Sequence, residues 1–267
     1  MTQQSGAGPA SDHPEQPRQT QMVEQTSKPV KPAKSHKPAK NLYEPYDTPM
    51  WLWIVLRAVA RFLFFLKLNV HLVGLNNVPK QGAFIIASNH LSWMDVPLVP
   101  CYLKRKVVYM AKEELFYGKA GWIIRLFGAF PVKRGEADRQ SLRVADMQLK
   151  AGKIFMIFPE GTRSKIQQLG RGHVGTGMIA LRARVPVVPV AIWGSEYTFK
   201  KLRPDVTISY GEPVLLTPRG KKITREDIED ATNEVMRRIA AMMPPSYRGM
   251  YGDMPASSSD ETVQREL

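Results

Sequence analysis

Short runs of β-branched and aromatic residues recur between residues 70 and 210, and stretches with a helical spacing of apolar residues separate them. The runs are Val70–Val73, Ala83–Ser88, Val107–Met110, Lys153–Phe158, Val187–Ile192 and Val206–Tyr210. The helical pattern occurs in Ala137–Lys150, in Val174–Ala183 and in a last segment for which Thr224 is a good N-cap. Strands that alternate with helices favour a parallel sheet. The sequence therefore predicts an α/β fold, a mostly parallel sheet flanked by helices, over residues 75–246.

The charge of the chain limits its partners. Lys and Arg number 38 and Asp and Glu 24, and the resulting net charge of +14 falls almost entirely between the two termini. A surface this basic favours anionic partners, such as phospholipid headgroups, phosphorylated substrates or nucleic acid. Nucleic acid is not expected, because aromatic residues are not interleaved with the basic runs and no nucleic-acid-binding module is recognised.

Cysteine and histidine usage limits the cofactors. The single cysteine, Cys101, cannot form a disulfide within the chain. The sequence contains no H-E-x-x-H or C-x-x-C motif, so that we expect neither a metal nor any other cofactor.

Two terminal segments have compositions that do not support a packed core. Residues 1–47 are rich in Gln, Ser and Pro and include a Lys-Pro stretch at Lys28–Lys40. Residues 247–267 end in SSSDETVQREL. We predict that both segments are disordered tails.

An apolar stretch, Met50–Leu68, lies between the first tail and the α/β domain. As a helix it is about 28 Å long, close to the ~30 Å of a bilayer core. However, Arg57 and Arg61 lie one turn apart within it, and each arginine at a bilayer centre costs about 2.5–3.5 kcal/mol. We predict a membrane-associated amphipathic helix, in plane or partly inserted, within residues 48–74. A transmembrane helix and a buried helix of a soluble protein are the alternatives.

A histidine and an aspartate follow the second apolar run. The segment NHLSWMD at 89–95 places His90 five residues before Asp95, across a strand-to-helix turn. An aspartate that accepts a hydrogen bond from one imidazole nitrogen leaves the other nitrogen basic, so that the pair can deprotonate a hydroxyl. A cap that only ties the turn together is the alternative.

A second polar cluster, FPEGTRS at 158–164, follows another apolar run. Gly161 permits close backbone approach, and Arg163 provides a forked donor for phosphate. Glu160 can accept a hydrogen bond from a substrate hydroxyl or hold an arginine in place. A polar turn with a surface ion pair is the alternative.

The third cluster, GAFPVKRG at 128–135, contains two adjacent cations, Lys133 and Arg134, that can bind a phosphate or form a solvated basic turn. Ligands bind at the carboxyl ends of strands in open α/β sheets. The three clusters together therefore predict a base that activates a hydroxyl beside an anion site.

These blocks, in this order and followed by VPVVPVAI at 185–192, resemble those of the glycerolipid acyltransferases, specifically the 1-acyl-sn-glycerol-3-phosphate acyltransferases. The resemblance covers about Ala83–Ser195. It implies the fold of that family and its site: His90 as the base and Asp95 as its orienting acid. It further implies binding of the substrate phosphate by Arg134, Gly161 and Arg163, with Glu160 as a substrate contact.

The resemblance also implies an activity. We expect acyl transfer from acyl-CoA or acyl carrier protein to the 2-hydroxyl of lysophosphatidic acid, which gives phosphatidic acid for phospholipid biosynthesis. We expect the enzyme at the cell membrane, peripheral or monotopic, on the cytoplasmic face and against an anionic membrane surface. The alternatives are an acyltransferase for another lysolipid and a non-catalytic basic protein that binds membranes or nucleic acid.

Overall fold

The strands of the chain pair into one sheet that has helices on both faces. The computed structural model describes residues 46–117, 121–132 and 139–252. In these residues the strands are β1 (Asn69–Val73), β2 (Phe84–Ser88), β3 (Val107–Lys112), β4 (Ala129–Val132), β5 (Ile154–Ile157), β6 (Val187–Trp193) and β7 (Asp205–Tyr210). The α-helices are α1 (Met50–Lys67), α2 (Asp95–Cys101), α3 (Gly121–Leu126), α4 (Arg139–Lys150), α5 (Gly175–Ala183) and α6 (Arg225–Ala241). All six runs identified in the sequence are strands.

The strand order is β1-β7-β6-β2-β5-β3-β4. Every neighbouring pair is parallel except β6 and β7, which are antiparallel. The prediction of a mostly parallel sheet with flanking helices is therefore confirmed. Because β7 reverses direction and β1 runs parallel to it, β1 begins at the edge of the sheet where β2 to β6 end.

Each face of the sheet packs against its own group of helices. Side chains alternate along a strand, so that Ile85 and Ala87 of β2 face one core while Phe84 and Ile86 face the other. The first core includes residues of α4, α5 and α6, and the second includes residues of α1 and α2. The inner strands are thus buried on both faces, as expected for parallel strands, whereas β1 at one edge is largely exposed.

Helix α1 packs against the second core through its two arginines and a few buried side chains. Arg57 donates a hydrogen bond to the carbonyl of Leu103, and the Arg61 guanidinium lies 5.4 Å from the centre of the Tyr102 ring. Trp53 is buried on the same side, in edge-on contact with Phe127. Both arginines therefore bind other parts of the protein.

The opposite side of α1 is apolar and exposed. Its nine large side chains, each at least 50% exposed, are Met50, Trp51, Ile54, Val55, Val59, Phe62, Leu63, Phe65 and Leu66. We call these residues the outer face of α1. Within the described part of the chain, no helix has the length and apolar character needed to cross a membrane.

Some elements differ from the prediction. The third polar cluster contains a strand, β4, that was not among the six predicted runs, whereas the helix expected after the strand-to-helix turn is present as α2. The chain is packed beyond residue 246, because Tyr251 is 3% exposed and its hydroxyl accepts a hydrogen bond from the Gly172 N–H. The predicted boundary of the C-terminal tail is therefore too early. Of the predicted N-terminal tail only residues 46 and 47 are described, and the rest of both tails lies outside the described residues.

Candidate active site

Two of the polar clusters meet because the strands that precede them are neighbours. In the parallel pairing of β2 with β5, Ala87 lies opposite Ile157. Each strand ends at most one residue later, so that the loops carrying His90 and Glu160 leave the same edge of the sheet side by side. Both loops therefore lie at the carboxyl ends of parallel strands, where the sequence predicted them to be.

His90 and Asp95 form a buried pair at this edge. The His90 Nδ1 lies 3.0 Å from the Asp95 Oδ2, and the two residues are 6% and 0% exposed. The same oxygen accepts hydrogen bonds from the backbone N–H groups of Leu91, at 2.6 Å, and Ser92, at 2.7 Å. Because a carboxylate only accepts, it selects the tautomer in which Nδ1 carries the proton. The Nε2 atom is then unprotonated and basic.

An aromatic ring fixes the plane of the imidazole. The rings of His90 and Phe158 are stacked, with centroids 4.2 Å apart and planes inclined by 21°. The aspartate holds one edge of the imidazole and the phenyl ring covers one of its faces. Phe158 belongs to the second polar cluster, but nothing in the sequence indicated that its ring would stack on His90.

Asn89 joins the histidine loop to β6. Its side-chain amide donates to the Ile192 carbonyl, at 2.8 Å, and its side-chain oxygen accepts from the Ile192 N–H, at 2.7 Å. Asn89 is fully buried. The asparagine thus anchors the residue before His90, a role that sequence reasoning missed because its partner is 103 positions away.

Glu160 connects two loops through their backbones. Its Oε1 accepts from the His90 N–H, at 3.0 Å, and its Oε2 accepts from the Gly170 N–H, at 2.9 Å. The residue is 5% exposed, and this burial raises the pKa of its carboxyl group, although the two N–H groups oppose the rise. The substrate contact expected of Glu160 stays a prediction; in the structure, both of its oxygens bind backbone.

Gly161 and Arg163 lie at the open side of the site. Gly161 has φ +63°, and a Cβ atom there would come within 3.0 Å of the His173 ring. The Arg163 guanidinium stacks on Trp93, 4.1 Å from the ring centre, and both side chains are exposed. Among the described residues no carboxylate pairs with Arg163, so its donors are available to an anion.

The third cluster is described only in part. Strand β4 pairs in parallel with β3, with Val132 opposite Lys112, and both residues border the cavity beside His90. Arg134 follows two residues later in the sequence and lies outside the described residues. Its phosphate-binding role stays a prediction.

An apolar cavity of about 540 Å³ opens next to the imidazole. His90 and Gly161 border it, and most of its wall is apolar, including Met110 of β3 and Ile123 and Ile124 of α3. Its volume lies in the range of ligand sites. The site therefore combines a basic nitrogen, an arginine at the mouth and a cavity suited to an apolar chain.

Comparisons with known proteins agree with this chemistry. A family model described as Acyltransferase matches residues 69–193. Over 185 residues the chain is 33% identical to the 1-acyl-sn-glycerol-3-phosphate acyltransferase of Bacillus subtilis (strain 168), covering 67% of this chain and 90% of that protein. It is also 34% identical to the lyso-ornithine lipid O-acyltransferase of Pseudomonas aeruginosa, over 50% of this chain and 51% of that protein.

A solved structure is similar as well. The crystal structure of the 1-acyl-sn-glycerophosphate (LPA) acyltransferase PlsC from Thermotoga maritima matches with a TM-score of 0.58 and 32% sequence identity. The match covers 69% of this chain and 76% of that chain.

Proposed function

Because this chain belongs to the acyltransferase family that includes the 1-acyl-sn-glycerol-3-phosphate acyltransferases, we propose that it acylates the 2-hydroxyl of lysophosphatidic acid. The donor is a thioester, acyl-CoA or acyl carrier protein, and the product is phosphatidic acid for phospholipid synthesis. The observation that carries the proposal is the Asp95-oriented imidazole of His90 in the wall of an apolar cavity. Membership of a family of enzymes argues against the non-catalytic alternative.

The proposed reaction is a direct acyl transfer. The Nε2 of His90 takes the proton of the acceptor hydroxyl while the oxygen attacks the thioester carbonyl. The C–S bond then breaks, and the imidazolium returns its proton to the thiolate that leaves. Asp95 stabilises the imidazolium while it carries that proton. No acyl-enzyme forms, because the hydroxyl itself is the nucleophile.

The cavity supports the proposed donor. A chain of methylene groups gains about 0.8 kcal/mol for each group that it buries in an apolar environment. An acyl chain held in the cavity would have its carbonyl carbon near His90, which borders the mouth. This arrangement brings the thioester to the base without requiring a polar partner for the chain.

The exposed arginine near the histidine loop supports the proposed acceptor. Arg163 is exposed beside His90, with Trp93 holding its guanidinium in place. The sequence adds Arg134 as a second phosphate ligand. A phosphate bound there would present the neighbouring hydroxyl of a glycerol backbone to the imidazole.

Replacing Arg163 with alanine is expected to lower kcat/KM for lysophosphatidic acid about 10- to 100-fold, because a charge-assisted hydrogen bond to phosphate is lost. Initial rates at varied acceptor concentration measure this. Arg182→Ala removes an exposed arginine from α5 and is the matched control. Unchanged kcat and KM in Arg163→Ala would show that this arginine does not bind the phosphate.

The outer face of α1 supports a membrane location. Arg57 and Arg61 contact other parts of the protein, and although Arg61 is itself exposed, every other exposed residue between Met50 and Leu66 is apolar. Such a helix lies in the membrane interface with its apolar face among the acyl chains. We propose peripheral or monotopic attachment on the cytoplasmic face, where the thioester donors occur.

A different lysolipid acceptor is the second candidate. The similarity to a lyso-ornithine lipid O-acyltransferase favours it, because that relative is named for an acceptor other than lysophosphatidic acid. The His90–Asp95 chemistry would be the same, and only the group bound by Arg163 would differ.

Mass spectrometry of the lipid products tests both candidates. The full chain is incubated with labelled acyl-CoA or acyl carrier protein and with a panel of lysolipids that includes lysophosphatidic acid and lyso-ornithine lipid. We expect labelled phosphatidic acid as the main product. Acylation of another lysolipid alone would support the second candidate, and no acylated product from any pair would contradict both.

A further inference from the structure

A loop between β6 and β7 exposes large apolar side chains. Residues 199–203, with the sequence FKKLR, follow the helical turn Ser195–Tyr197. Phe199 is 77% exposed and Leu202 is 92% exposed, the highest value for a large apolar side chain in the described part of the chain. Two such side chains at the tip of one loop leave apolar area in water that a partner would bury.

The residues between them are basic. Lys200, Lys201 and Arg203 carry three positive charges, and in the described chain none of them pairs with a carboxylate. The Lys201 ammonium lies 4.4 Å from the centre of the Tyr197 ring. The nearest acid in sequence, Asp205, instead pairs with His71 at 3.0 Å. The tip of the loop therefore combines two apolar side chains with three cations that no carboxylate neutralises.

Arg203 connects the loop to the end of α1. Its Nη2 donates to the Phe65 carbonyl, at 3.4 Å, and its guanidinium lies 5.8 Å from the centre of the Phe65 ring. Phe65 belongs to the outer face of α1. The loop that carries Phe199 and Leu202 therefore lies beside the C-terminal end of the outer face of α1.

The sheet topology places the loop and the end of α1 at the edge where the active site lies. The loop begins after Trp193, the last residue of β6, which runs parallel to β2. Helix α1 ends at the same edge, because Asn69 of β1 pairs with Asp205 at the start of β7. His90 follows β2 at that edge too, so that a flat partner bound to the loop and to the end of α1 would face it.

We propose that residues 199–203 form a second membrane contact that acts together with the outer face of α1 on an anionic lipid surface. Phe199 and Leu202 enter the boundary between headgroups and acyl chains, while Lys200, Lys201 and Arg203 bind lipid phosphates. Two contacts fix the orientation of the protein, whereas one helix leaves it free to roll. The inference uses the proposed membrane location of α1 and does not depend on the identity of the acceptor.

A lipid surface suits the loop better than a protein partner does. Stable protein interfaces bury about 800 Å² on each partner, which is more than the tip of a five-residue loop offers. Apolar side chains flanked by Lys and Arg are typical of segments that insert into anionic membrane interfaces. We therefore commit to an anionic bilayer as the occupant.

Vesicle sedimentation tests the charges and the apolar tip separately. The probes are vesicles of phosphatidylcholine with or without phosphatidylglycerol. Lys200→Gln/Lys201→Gln should weaken binding to the anionic vesicles about 30-fold, at about fivefold for each cation. The control is Lys221→Gln/Lys222→Gln, which removes the same number of charges from an exposed pair of adjacent lysines. This pair follows Val214, which bridges to Val187 at the start of β6 and therefore lies at the opposite edge of the sheet.

The apolar tip has its own variant and control. Phe199→Ser/Leu202→Ser should weaken binding to both kinds of vesicle about tenfold or more. Leu215→Ser alters another side chain that is 57% exposed and should have no effect. Turnover of detergent-dispersed substrates should be retained in the loop variants, and its loss would show that the loop instead belongs to the active site.

A fluorescent label distinguishes the loop from α1. Cys101 is 2% exposed, so that an environment-sensitive dye should react with Leu202→Cys or, as control, with Leu215→Cys. Anionic vesicles should shift the emission to the blue only at position 202. Vesicle binding without that shift would overturn the loop contact and leave α1 as the anchor, and absence of any vesicle binding would overturn both. Neither outcome affects the product analysis of the proposed reaction.

Discussion

Replacing His90 with alanine is expected to lower acyl-transfer turnover about 10²- to 10⁴-fold, the usual contribution of a positioned general base. The imidazole lines the apolar cavity, and Asp95 holds the proton on Nδ1 so that Nε2 is the basic nitrogen. Alanine leaves no group at this place that can take the proton of the acceptor hydroxyl. The rate is measured at saturating donor and acceptor, so that a change in binding does not hide the effect.

The His90→Ala variant should still fold. Asp95 keeps its hydrogen bonds from the Leu91 and Ser92 N–H groups after the imidazole is removed, and circular dichroism can verify the fold. His71→Ala is the matched control, because His71 forms the same kind of pair with Asp205, at 3.0 Å, but on the surface. Near-normal turnover in folded His90→Ala would contradict the proposed mechanism.

Asp95→Asn is expected to lower turnover about 10- to 100-fold with little change in the position of His90. Three donors converge on the Oδ2 of Asp95, so an asparagine must direct its oxygen there and its NH₂ toward the place of Oδ1. That atom is buried, and within the described structure it has no hydrogen-bond partner. The substitution therefore keeps the imidazole tautomer but removes the charge that stabilises the imidazolium.

Asp95→Ala separates the structural role of the carboxylate from its charge. It leaves the Leu91 and Ser92 N–H groups without their acceptor in a buried loop, at a cost of about 1–3 kcal/mol each. Denaturant unfolding should show that the alanine variant is less stable than the asparagine variant. Wild-type turnover in Asp95→Asn, or wild-type stability in Asp95→Ala, would contradict these roles.

The strands and the main helices could be predicted from local patterns. Five of the six runs identified in the sequence supply buried apolar residues to the two cores, and the sixth, β1, packs Val70 against one of them. The start of α6 was predicted at Thr224, and there the structure has a capping box in which Thr224 and Asp227 exchange hydrogen bonds. These features depend on residues only a few positions apart, so that they can be recognised in the sequence without knowledge of the fold.

Features that depend on distant residues could not be predicted. The strand order has no local signal, and a proline within an apolar run such as VPVVPVAI is usually found in a strand at the edge of a sheet. Strand β6 is central, and Pro189 is tolerated because its missing N–H would face Gly211, one residue past the end of β7. The same limit applies to the site, where the backbone partners of Glu160 lie 70 and 10 positions away.

The orientation of α1 shows the same limit in a single helix. The arginines at 57 and 61 lie one turn apart, and an amphipathic helix in the plane of a membrane directs its polar side toward water or headgroups. In the structure they bind Leu103 and Tyr102, which follow α2 in the chain, and this leaves the apolar residues outside. Helical periodicity identifies the two sides of a helix but not which of them packs inward.

The carboxylate of Glu160 makes two distant parts of the chain mechanically dependent on each other. One oxygen accepts a hydrogen bond from the backbone N–H of His90 and the other accepts from the backbone N–H of Gly170. A displacement of the loop at residue 170 is therefore transmitted to the loop that carries His90, and the reverse. Substitutions near residue 170 should then alter the rate constant for proton removal without touching the imidazole. Among related sequences, side chains around these two amides are expected to change together rather than independently.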